Sequence, residues 1–154
     1  KNFGYLFDSD YFIYAEDLDL GLRIRLLGMK TLQVANAFNY HMHSLTMSKY
    51  STKYKTTFFL ERNLLTTFFK IFKPSTIIKL ITYVLLLRLA VILRDILTMN
   101  FKSALARINA ICFILINFSK IITKRKKIQS LRLANDSYIT KIFTERNVLK
   151  RFNV

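Results

Sequence analysis

Five carboxylates fall within twelve residues, Asp8, Asp10, Glu16, Asp17 and Asp19, in a chain of 154 residues that has nine acidic residues in all. Like charges at this density repel and raise one another's pKa, so the pattern calls for a cation or for a proton in transfer. The chemistry open to such a group is general-base catalysis or metal binding. The chain has two histidines, His41 and His43.

The element that must position these acids is a helix. Leu20, Ile24 and Leu27 recur at helical spacing, with Leu18, Leu22 and Leu26 beside them, and predict a helix from Asp17 to Leu27 that Gly28 closes. A plainer use of two of the acids goes with it. Asp17 would serve as N-cap and Asp19 would sit in the positive end of the helix dipole. Arg23, four residues after Asp19, would form an i,i+4 ion pair worth a few tenths of a kcal/mol. Capping accounts for one acid and leaves Glu16, Asp10 and Asp8 over.

The run Phe7-Asp8-x-x-x-Phe12-x-Tyr14-x-Glu16-Asp17-x-Asp19-Leu20-x-x-Arg23, closed by Gly28, resembles the acceptor-side motif of family 2 glycosyltransferases of the GT-A fold, in particular the rhamnosyltransferase-like and galactofuranosyltransferase-like branches. The resemblance extends over residues 3–72. Lys30 to Ala35 reads as a strand, Asn36 to His41 is similar to the family's turn and aromatic-His segment, and Ser44 and Glu61-Arg62-Asn63 match later positions. The implied fold class is an α/β fragment, the C-terminal part of a GT-A domain (residues 1–72), followed by an α-helical, apolar, basic and membrane-associated extension (residues 73–154). The resemblance further implies an inverting transfer from a nucleotide-sugar donor to a glycan or lipid-linked acceptor. In it Asp17 is the general base, Glu16 orients the acceptor, Asp19, Arg23 and Arg62 support the site, and His41 binds a divalent metal, Mn or Mg. The family's N-terminal, nucleotide-binding half has no counterpart here, so this segment alone is expected to be inactive.

Charge is divided unevenly. Residues 1–43 hold five acids and four bases, a net of −1, and residues 44–154 hold the other four acids and 21 bases, a net of +17, which together make the chain's +16. Ser44 to Thr57 reads as a polar loop whose Lys49, Lys53 and Lys55 face either solvent or a phosphate. A helix is predicted from Phe58 to Phe72, stopped by Pro74. Ser75 to Leu97 is apolar and long enough to span a bilayer. Arg88 at its middle argues for an interfacial or bundled helix, with Asp95 on the same face as its partner. A second apolar helix is expected from Ala104 to Ile122, with Cys112 as a small buried hydrophobe.

Lys124 to Lys127 would attract anionic lipid. Nothing resembling a nucleic-acid-binding motif accompanies this basic cluster, so no nucleic-acid partner is expected. Residues 128–154 read as a basic amphipathic tail. Two functions follow: part of a glycosyltransferase at the cytoplasmic face of the membrane, or a noncatalytic module that binds a membrane surface or an anionic polymer.

Overall fold

The computed structural model describes residues 3–32, 34, 36, 38 and 52–144, the side chains of 142–144 aside. Six helices make up the ordered elements among the described residues: α1 (Glu16–Leu26), α2 (Lys53–Ile71), α3 (Pro74–Leu97), α4 (Phe101–Ile116), α5 (Phe118–Ser130) and α6 (Asp136–Thr144). The described residues contain no strand. This overturns the α/β fragment expected from the resemblance. Residues 30–32 and 34 of the expected strand are exposed and irregular, with no sheet to receive them.

Local chemistry explains most boundaries. The α1 helix follows the predicted apolar spacing, carries Arg23 and Arg25 in its last turn, and ends at Gly28, which takes φ 76°. Its start is different. The N-cap is Ala15, without a side-chain cap, and Asp17 is already helical; its Oδ1 accepts the Leu18 N–H at 2.7 Å. The α2 helix begins at Lys53, before the predicted Phe58, because the Thr52 hydroxyl accepts the Lys55 N–H at 3.3 Å. Pro74 opens α3 rather than merely stopping α2. The second apolar helix breaks at Asn117 into α4 and α5, bent by 69°, and Cys112 is exposed rather than buried.

The centre of the molecule is α2, which packs on α4, α5 and α1, while α3 packs chiefly on α4. One core joins Phe3, Leu22, Leu26, Ile71, Ile128 and Ile139, and a second joins Leu65, Ile114 and Ile121. The basic C-terminal region finishes α2. Gln129 Nε2 donates to the carbonyls of Lys70 and Ile71 at 2.8 and 2.7 Å, Arg132 donates to Ile71 O, and Arg125 donates to Phe69 O. These donors satisfy carbonyls that the last turn of a helix leaves open. Leu133 and Ala134 then donate to Leu26 O, tying the same segment to the end of α1.

Arg88 does not meet Asp95. It lies 3.5 Å from Glu61 of α2, Glu61 also pairs with Arg107 of α4, and Asp95 is taken by Arg107 and Arg94 at 2.9 and 2.7 Å. The charge in the middle of α3 is therefore answered from the protein side.

Candidate active site

The acidic segment is sorted by its surroundings into two groups. Asp8 and Asp19 are buried, and both reach Lys70, with Nζ 2.6 Å from Asp8 Oδ2 and 2.8 Å from Asp19 Oδ1. The other oxygen of Asp19 lies 2.8 Å from Arg23 Nε. The expected Asp19–Arg23 pair exists, but both side chains are fully buried, so it is a core ion pair and not the surface pair of small value. Arg23 is further held by the carbonyls of Tyr5 and Leu6 and by stacking on the rings of Phe3 and Tyr5. Lys70 sits over the Tyr11 ring at 4.5 Å, and the Tyr11 hydroxyl lies 2.7 Å from Thr67 Oγ1.

Asp10 is reached by Lys124 at 2.6 Å and Lys120 at 3.0 Å, and Lys124 also donates to Asp8. Burial alone would raise the Asp8 carboxyl, but the hydrogen bonds from Lys124 and Lys70 outweigh it and hold the group down at about 2. Asp10 is lowered in the same way by Lys124 and Lys120. Crowding was expected to raise these groups. Lysines more than a hundred residues away reverse the sign.

Glu16 and Asp17 differ from the other three acids. Neither has a cationic partner among the described residues. They are the first two residues of α1, Asp17 is exposed, and one Glu16 oxygen is buried without a hydrogen-bond partner among the described residues. The backbone before them is bent against its preference. Tyr14 and Ala15 take φ 67° and 60°, the left-handed region that costs an L residue roughly 1–2 kcal/mol. Asn63 of α2 holds that bend: its Nδ2 donates to the carbonyls of Ile13 and Tyr14 at 2.8 and 2.7 Å. Arg62 orients Asn63 through Oδ1 at 2.9 Å and donates to Asp10 O at 2.7 Å. The Arg62-Asn63 pair thus clamps the loop that delivers Glu16 and Asp17.

Of the sequence-derived site residues, Glu16, Asp17 and Asp19 lie in the first turn of α1, Arg23 in its last turn and Arg62 in the middle of α2, where it contacts Asn63 and Asp10 O. His41 lies outside the described residues. No group of three His, Cys, Asp or Glu side chains among the described residues is arranged to hold a metal. Asp8 and Asp10 do not fit a divalent ion, since lysine ammonium groups already occupy their oxygens. Sequence reasoning matched Asn63 to a family position without giving it a role, and missed the part of Lys70 and Lys124. For Asn63 the signal was its place next to Arg62; for the lysines no local signal exists.

Comparison with protein-family models, with curated proteins and with solved structures gives no match to this chain.

Proposed function

We propose that this segment is the acceptor side of an inverting glycosyltransferase that works at a membrane surface, with the nucleotide-sugar donor held by another part of the enzyme. Asp17 takes the proton from an acceptor hydroxyl while that oxygen attacks the anomeric carbon, and the bond from that carbon to the diphosphate breaks on the opposite face. Glu16 accepts a hydrogen bond from the acceptor and fixes its orientation. The acceptor is a glycan, and its lipid-linked form suits the apolar surface of α3.

One observation carries this reading. Of five clustered acids, three are neutralised by Lys or Arg, and the two that the motif assigns to chemistry have no cationic partner among the described residues and follow a strained, clamped loop. Backbone strain of this kind persists where surrounding contacts overdetermine it, and it concentrates at functional sites. An exposed carboxylate at a helix start is also reachable by a bulky acceptor, which a buried one is not.

The test is Asp17→Asn in the enzyme that carries this segment. A positioned general base contributes about 10²–10⁴-fold, so transfer falls by that factor while the unfolding midpoint stays near wild type. The noncatalytic, membrane-surface reading has its own support in the exposed apolar face of α3. It predicts that the same substitution changes nothing but charge.

A further inference from the structure

The turn between α3 and α4 encloses a pocket of about 320 Å³ lined by Lys53, Met99, Asn100, Phe101, Lys102 and Ser103. No acidic residue lines it. It opens on the N-terminus of the 16-residue α4, where Asn100 makes no side-chain cap, the Ser103 and Ala104 N–H groups donate to Asn100 O at 2.9 and 3.1 Å, and those of Phe101 and Lys102 have no backbone acceptor among the described residues and are open to an anion. Ser103 is 4 % exposed, lines the pocket, and its hydroxyl has no hydrogen-bond partner among the described residues. Asn100 Oδ1 accepts from Lys53 Nζ at 2.6 Å and draws that ammonium to the rim. Lys102 supplies a second positive charge from α4 itself.

The surface around this pocket is apolar. Leu97, Met99 and Phe101 are 83, 76 and 57 % exposed. They continue the face of α3, where only Ile92 and Asp95 are buried and where Leu86, Leu89 and Leu93 face outward. A nearly buried serine on the pocket wall, two open N–H groups at the helix start and two lysines, ringed by large apolar side chains, match an anionic phosphate attached to a hydrocarbon.

We propose that the α3–α4 turn is a binding site for the phosphate headgroup of an anionic lipid, with the Ser103 hydroxyl, the Phe101 and Lys102 N–H groups, Lys53 and Lys102 on the phosphate and Leu97, Met99 and Phe101 among the acyl chains. The proposal rests on the membrane-surface part of the reading above and on no step of sugar transfer.

The experiment is co-sedimentation of the full chain with phosphatidylcholine vesicles, with and without phosphatidylglycerol. Lys53→Gln with Lys102→Gln lowers partition onto the anionic vesicles by about tenfold or more, whereas Lys79→Gln with Lys126→Gln, equal in charge but outside the pocket, lowers it by about threefold or less. Ser103→Ala, which changes no charge, lowers anionic partition by about threefold and leaves partition onto neutral vesicles as it was. Equal losses from the two lysine pairs, together with no effect of Ser103→Ala, would overturn the site. Amide shifts at Lys102 and Ser103 on adding inorganic phosphate but not vesicles would also overturn it, in favour of a soluble phosphate. Failure to bind either vesicle type would overturn the membrane reading itself.

Discussion

Asp8 is buried between two ammonium groups, and its carboxyl lies at about 2, below its ordinary 3.8. A lowered carboxylate contributes stability that is fully present above its unfolded pKa and is lost as pH falls through the folded one. Stability is therefore expected to decline between about pH 4 and pH 2, by on the order of 2 kcal/mol from this group. Urea midpoints measured across that range check it, and Asp8→Asn removes the contribution. Lys70 bears more. It is fully buried between Asp8 and Asp19, so Lys70→Met leaves two buried carboxylates short of a partner and costs about 3–5 kcal/mol. A loss under about 1 kcal/mol in urea unfolding would mean that Arg23 and Lys124 suffice alone. At this scale the sequence was legible in part. The Asp19–Arg23 spacing announced their pairing, but not its burial, because burial depends on Phe3, Tyr5 and Lys70 closing over it. The pairing of Asp8 with Lys124 spans 116 residues, and no local pattern carries such a contact.

At the scale of elements, α1 and the bend before it form one device. Ala15 at φ 60° would be relieved by glycine, which reaches the left-handed region without steric cost. Ala15→Gly should raise the unfolding free energy by up to about 1 kcal/mol, and Ala15→Val should lower it; the reverse order in urea unfolding would contradict the strain. Asn63→Ala frees both carbonyls it holds and should cost about 1–3 kcal/mol while also slowing transfer, since the bend no longer fixes Glu16 and Asp17. The apolar repeat and Gly28 made α1 legible to within a residue at each end, and the run before Leu97 did the same for α3. The start at Ala15 was hidden, because a left-handed alanine is held by Asn63 and not chosen by its own propensity. The break at Asn117 was hidden for a similar reason: the apolar run continues through it, and the bend places α4 against the start of α2, with Asn109 on Tyr54, and α5 against its end, with Arg125 on Phe69 O. Of the strand expected at 30–35, residues 30–32 and 34 are described and are irregular, and no strand to pair with them is present among the described residues.

Across the whole molecule, the two charge sections meet rather than separate. Lys120 and Lys124 of the basic part neutralise Asp10 and Asp8 of the acidic part, and Gln129 and Arg132 close α2. The basic cluster expected to attract lipid is divided: Lys124 reaches Asp8 and Asp10 and Arg125 reaches Phe69 O, while Lys126 and Lys127 are exposed. The apolar surface lies elsewhere, on α3, a helix of 24 residues with mean hydropathy 2.2 whose apolar window is only 6 % buried. Its central Arg88 faces Glu61, while Leu86, Leu89 and Leu93 are exposed. Replacing Leu86, Leu89 and Leu93 together by Gln should abolish partition onto neutral vesicles with little change in helical circular dichroism. Unchanged partition would remove α3 from the membrane surface. The central claim, that the uncompensated Asp17 is a catalytic base on this scaffold, is met most directly by assaying sugar transfer in the vesicle-bound enzyme that carries this segment, wild type against Asp17→Asn. A fall of about a hundredfold or more, at wild-type unfolding midpoint and wild-type vesicle binding, is the predicted result. Transfer retained at above about a tenth of the wild-type rate would contradict it and leave the acidic segment a structural feature.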